Sequence, residues 1–136
     1  MADLTSRVRR VIAAPVDRVY AAWTVPELLS GWFWPFPATF DVSAEVGGTF
    51  HFGSSAIGAS GRFLDVSSGR LVYTWIWDGE SDETRVTVEF RPTSSGTEIL
   101  LEHSGNADTE ARDNHAQGWS DCISRLGPFL SQSAVG

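Results

Sequence analysis

The chain has 136 residues, 42% hydrophobic and 20% charged, a composition that fits one globular domain and is too apolar for a disordered chain. Its net charge is −7 and all ten basic residues are arginine, so it has no side-chain amine for a Schiff base or a phosphate-loop lysine and no basic surplus for nucleic acid. The single Cys122 cannot make an intramolecular disulfide and no apolar run reaches the ~18 residues of a membrane span; with no charged-then-apolar signal at the start, a cytoplasmic protein is expected.

In chain order, Leu4 to Ala13 alternates weakly and predicts an edge-type strand. Pro15 stands where a first helical residue is favoured, and Val16, Val19, Tyr20 and Trp23 recur at helical spacing. Thr24 and Glu27 fit a capping box, with Pro26 in the first turn of a second short helix that reaches Trp32. Strands follow. Phe40 and Val42 alternate with polar neighbours, Val46-Gly47-Gly48 turns the chain, and Phe50 and Phe52 flank His51 at period two. After a Gly-rich stretch, Gly53 to Gly61, come Arg62 to Val66 and the turn Ser67-Ser68-Gly69. Leu71, Tyr73, Trp75 and Trp77 share one face of the next strand, as do Val86, Val88 and Phe90, then Ile99, Leu101 and His103. Tight turns between successive strands predict an antiparallel meander.

From Asp108 to about Leu130 the period becomes helical, with Ala111, His115, Trp119, Cys122, Leu126 and Phe129 or Leu130 on one stripe. Gly118 and Gly127-Pro128 predict a weakened middle and a kink or break near the end, and Ser131 to Gly136 reads as a frayed tail. The expected fold class is therefore α+β: one strand, two short helices, about six more strands and a long C-terminal helix, around which the antiparallel sheet must curl.

The stretches Arg9 to Thr24, Pro26 to Leu29, Val46-Gly47-Gly48, Arg70 to Trp75, Val86 to Phe90, Gly96-Thr97 and Ala111 to Trp119 carry a resemblance across nearly the whole chain. They resemble the START-like helix-grip domains (the SRPBCC superfamily of the birch-pollen allergen and the polyketide cyclases), in the branch related to the activator of the heat-shock protein 90 ATPase. The resemblance implies a single domain over residues 1–136, with six to seven strands curved around the C-terminal helix and a cavity between the two. Members bind lipids, hormones or polyketide-like molecules, and some cyclise or hydrate such substrates, so the resemblance implies a container without naming a reaction. Pro128 departs from the pattern, standing where relatives commonly continue the helix.

The aromatic residues carry most of the functional signal. Trp32, Phe33, Trp34 and Phe36 crowd the exit of the second helix, and alternation turns Phe50, Phe52, Trp75 and Trp77 inward toward Trp119 of the long helix. Aromatic walls suit flat apolar ligands, and they equally well fill a core. His115 and Trp119 lie four apart on one helix face, and His103 ends its strand on the inward parity, so two imidazoles could meet in the cavity as proton carriers or as satisfied structural groups. The ligand-binding set is then Trp32, Trp34, Phe52, Trp75, Trp77, His103, His115 and Trp119, with His103 and His115 as the acid–base candidates.

The other chemistry-bearing residues read as structural. His51, Asp41, Glu45, Glu89 and Glu102 fall on the outward parity, and Asp78, Glu80, Asp82 and Glu83 form an acidic hairpin tip that could rim a cavity. Arg62 is the basic residue whose position suggests an anionic ligand end. Three histidines and one cysteine show no metal-ligand spacing, no Gly-x-Ser-x-Gly elbow is present, and no metal or cofactor is expected. Three functional readings result: binding of a small hydrophobic or aromatic molecule, a cyclase or hydratase using His103 or His115, and a chaperone-interacting regulatory module. The first is preferred. Homodimerisation through edge strands stays open.

Overall fold

The computed structural model describes residues 3–133. Strand β1 (Ser6–Ile12) is followed by helices α1 (Val16–Thr24) and α2 (Pro26–Leu29). Strands β2 (Thr39–Val42), β3 (Thr49–Gly53), β4 (Gly58–Ser67), β5 (Arg70–Trp77), β6 (Thr84–Thr93) and β7 (Gly96–Ser104) come next, and helix α3 (Thr109–Ser133) ends the fold. The strands form one antiparallel sheet in the order β1-β7-β6-β5-β4-β3-β2, a meander from β2 to β7 closed by β1 against β7. The α+β class, the curved sheet and the long C-terminal helix are those expected.

Alternation fixes which side chains face α3. On β5, Leu71, Tyr73 and Trp75 are buried on one face, and the register sets Tyr73 beside Val86 and Leu71 beside Val88 on β6. On β7, Ile99, Leu101 and His103 continue that layer, with His103 paired to Val86 on one side and Ser6 on the other. Helix α3 answers with Trp119, Cys122, Ile123, Leu126 and Leu130, all buried. Its first turn is capped by the Asp108 carboxylate, which accepts the Ala111 N–H at 2.8 Å. Two bonds moor α3 to β1: the Ser6 hydroxyl donates to the Arg112 carbonyl at 2.6 Å and the Arg10 guanidinium to Ser120 Oγ at 3.1 Å.

Several local expectations change. The first strand is shorter than Leu4 to Ala13, and β4 starts at Gly58, inside the Gly-rich stretch, because Ser54 closes a tight hairpin by bonding Ile57. The Thr24–Glu27 capping box does not form. Thr24 is still the last residue of α1 and its hydroxyl donates back to the Tyr20 carbonyl, while Val25 occupies the N-cap of α2 in extended conformation. Helix α2 stops at Leu29 and the chain reaches Phe33 through irregular turns. Of the kink or break expected at Gly127-Pro128, the break is absent. Helix α3 runs through Pro128 to Ser133, held by burial of Leu130 and by the Arg18 guanidinium, which donates to the Leu130 carbonyl at 2.7 Å. Of the expected tail, residues up to Ser133 are thus helical and 134–136 lie outside the described residues.

Two glycines separate close packing from open space. At Gly61 an added Cβ would overlap the Thr74 carbonyl oxygen and the Phe50 ring, whereas at Gly118, on α3, it would meet nothing within 4 Å. Gly61→Ala is therefore expected to lower the thermal midpoint by several degrees, and Gly118→Ala to raise it, by about 0.5–1 kcal/mol of helix propensity. Melting curves of the two variants check this, and opposite signs are required.

Candidate functional site

The mooring of α3 to β1 leaves its other flank facing β5 across open space. A cleft of about 560 Å³ lies there. Its helix wall comes from Ala111, His115, Gly118, Trp119, Cys122 and Arg125, residues three and four apart on one face. Trp75 and Trp77 of β5 and His103 of β7 form the sheet wall, the turn Phe33-Trp34-Pro35 closes one end, and Ile57 and Glu80 stand on hairpin tips at the rim. From Ala111 to Arg125 the groove follows α3 for roughly 21 Å.

Two imidazoles stack at the inner wall, His103 on His115, with ring centroids 4.1 Å apart and planes 16° from parallel. Their protonation follows from their partners. Trp119 Nε1 donates to His103 Nδ1 at 2.9 Å, so that nitrogen is bare. His103 Nε2 lies 2.6 Å from the Thr84 hydroxyl, which donates onward to the Trp75 carbonyl at 3.0 Å, so Nε2 carries the proton. His115 has the opposite tautomer. Trp77 Nε1 donates to its Nε2 at 3.0 Å, and its Nδ1–H meets Asn106 Oδ1 at 2.6 Å. Asn106 is oriented by its amide nitrogen, which donates to the Leu4 and His103 carbonyls at 2.6 and 2.9 Å.

All four ring nitrogens are thereby used by neutral imidazoles. His103 is completely buried, and desolvation, reinforced by the neighbouring His115, pushes its pKa down to about 3. Burial also lowers the pKa of His115, against the opposing attraction of Glu80. Both rings are therefore neutral at pH 7. Cys122 borders the same cleft, and burial pushes its thiol up, away from the reactive thiolate.

Two residues bordering the cleft carry N–H groups with no partner. Trp75 is 3% exposed and its indole N–H is the only buried side-chain polar atom without a hydrogen-bond partner among the described residues. Arg125 is half-buried. It donates from Nε to the Trp32 carbonyl at 2.9 Å and from Nη2 to the Phe33 carbonyl at 2.7 Å, and no carboxylate among the described residues pairs with it.

Six of the eight residues expected to bind ligand border this cleft: Trp34, Trp75, Trp77, His103, His115 and Trp119. The other two lie elsewhere. Trp32 is fully buried beneath α1, its N–H donating to the Ala22 carbonyl at 3.1 Å, and Phe52 packs within the aromatic core on Phe33, Phe40, Phe50 and Trp75. His51 is exposed as expected, with Nε2 3.0 Å from Asp78. Glu80 does rim the cleft, whereas Arg62 is exposed on β4 away from it. The guanidinium on the cleft is that of Arg125. Sequence reasoning missed it, although its spacing of seven from Gly118 and three from Cys122 puts it on the cleft face. Thr84 and Asn106 gave no signal, since their role depends on which histidine each meets.

A family described as Activator of Hsp90 ATPase homolog 1-like protein matches residues 13–131. The chain belongs to that family. No curated protein matches it. Solved structures do. A protein from Chromobacterium violaceum is 28% identical, with a TM-score of 0.80, over 91% of this chain and 95% of that one. CalU16 from Micromonospora echinospora is 26% identical, with a TM-score of 0.74, over 93% of this chain and 73% of CalU16. DynU16, a protein of the dynemicin biosynthetic locus, superposes with a TM-score of 0.87 at 21% identity, a likeness of fold, and this chain spans 49% of its length.

In this protein the neutral histidines make stability depend on pH. An unfolded histidine titrates near 6.5 and folded His103 at about 3, so between those values only the unfolded chain takes up the proton. The stabilisation is complete above pH 6.5 and is lost toward pH 3, by up to about 1.4 kcal/mol per pH unit for His103, with His115 acting in the same direction. Urea unfolding at pH 7.0 and 5.5, above the range where ordinary carboxylates titrate, should give a lower midpoint at 5.5. A flat midpoint contradicts the neutral burial.

Proposed function

We propose that the protein binds a small, flat, hydrophobic molecule in the cleft between β5 and α3. One observation carries the reading: about 560 Å³ of open space walled by Trp34, Trp75, Trp77 and Trp119, a volume within the range of small-molecule sites. The acid–base alternative at His103 or His115 loses support because every imidazole nitrogen already has a fixed partner. Its place is taken by binding, with the histidines positioning the indoles. Cytoplasmic residence is part of the proposal and rests on the single unpaired Cys122.

The magnitudes set a requirement. A ligand burying ~300 Å² of apolar surface gains about 7 kcal/mol. Association costs at least ~4 kcal/mol, so apolar contact alone leaves millimolar binding or weaker. Useful affinity therefore needs one or two oriented polar contacts, and the remaining N–H groups of Arg125, on the cleft wall, are the donors available for them.

The test is calorimetric titration with 2-naphthalenemethanol, a neutral planar probe, on the wild type and on Gly118→Phe. Because a Cβ at Gly118 meets nothing within 4 Å and the residue borders the cleft, the phenylalanine ring fills the space without disturbing the core. The expected result is binding by the wild type and at least a tenfold loss in the variant. Equal binding by both sinks the proposal, and so does a wild type that binds neither this alcohol nor its carboxylate, 2-naphthoate.

A further inference from the structure

We infer that the molecule held in the cleft is acidic as well as aromatic: a carboxylate, or a comparable pair of anionic oxygens, sits on Arg125 while the planar body lies against Trp75 and Trp119. This rests on the binding reading above and narrows it to a ligand class.

Arg125 presents a fixed donor fork at the cleft. Its planar guanidinium is held by one edge, Nε on the Trp32 carbonyl and Nη2 on the Phe33 carbonyl. A guanidinium has five N–H donors, and those two bonds leave the opposite edge, with one N–H from Nη1 and one from Nη2 side by side, the fork that a carboxylate accepts in bidentate fashion. Because the two carbonyls already orient the group, little further ordering is needed when an anion arrives. Arg7, Arg9, Arg70, Arg91 and Arg112 each have a carboxylate partner; Arg125 is one of several arginines with none among the described residues, and it is the one that borders the cleft.

Trp75 points the same way without involving Arg125. Trp75, in the same cleft, keeps an indole N–H that is buried and unpartnered, which a protein interior rarely tolerates. The acceptors that a donor-bearing ligand would need on the inner wall, the four imidazole nitrogens, are all consumed. The side-chain groups left without a partner around the cleft are thus donors, the polarity that an acceptor-rich ligand matches. Two carboxylates share the cleft and oppose an anion, but both residues are exposed to solvent, where their field is screened, and Asp121 takes a 2.9 Å bond from Gln117.

The experiment compares 2-naphthoate with 2-naphthalenemethanol, probes of one shape that differ in charge, by calorimetric titration of the wild type at low ionic strength. The inference expects naphthoate to bind at least about tenfold more tightly, the ordinary margin of a bidentate charge-assisted contact. In Arg125→Met that ratio falls to about one; in Arg125→Lys, which keeps the charge and loses the fork, it is intermediate. If Arg125→Met fails to fold, the wild-type ratio and the lysine variant still decide. Naphthalenemethanol binding with naphthoate no tighter overturns the acidic-ligand inference and leaves the binding reading standing. Binding of neither probe overturns both.

Discussion

The indole–imidazole bond between Trp119 and His103 is the contact on which the rest of the site depends. It crosses from α3 to β7, and a second such bond, Trp77 to His115, crosses the other way, from sheet to helix. Each tryptophan has only an N–H to give, so each histidine must present a bare nitrogen and hold its proton on the other side. Thr84 and Asn106 receive those protons, and the two rings stack. The four aromatic groups therefore fix both the rotation of α3 and its distance from β5 by directional contacts, where apolar packing alone would tolerate sliding. Protonating either ring breaks a bond at the helix–sheet junction and sets a charge against its neighbour in a desolvated place.

This arrangement separates structure from ligand along one helix. Toward β1, α3 is fastened by Ser6 and Arg10; at its centre it is fastened by the histidine pair; its remaining flank is held away from β5 by the bulk of Trp75 and Trp77. The cleft is the space so left. Its aromatic wall continues without interruption into the core, through Phe33 on Phe52 and Trp119 and through Trp75 on Phe50, so cleft and core share the same rings. That continuity explains why residues chosen for their aromatic character divided between the two.

The sequence made the fold legible because its signals are periodic. Alternation on β5, β6 and β7 assigned the inward faces correctly, and the stripe from Ala111 to Leu130 located α3. Local signals failed where tertiary contacts decide. Pro128 suggested a break, and the burial of Leu130 with the Arg18 contact carries the helix through; Thr24 suggested a cap, and its hydroxyl serves the preceding helix instead. At the site, parity and helical spacing brought His103, His115 and Trp119 together, but whether the imidazoles are free or engaged was not readable. It depends on Thr84, which approaches from the neighbouring strand β6, and on Asn106, in the loop that leads from β7 into α3. Arg125 was overlooked for a related reason: a guanidinium on an amphipathic helix reads as solvated until the carbonyls of Trp32 and Phe33 are found holding it.

The account stands or falls on two neutral, oppositely protonated histidines at the helix–sheet junction. The most direct measurement is a long-range proton–nitrogen correlation of the imidazole rings at pH 7. The account predicts His103 with its proton on Nε2, His115 with its proton on Nδ1, and downfield-shifted indole N–H signals for Trp119 and Trp77. A doubly protonated ring, or the same tautomer on both residues, would contradict it and return the pair to consideration as an acid–base centre.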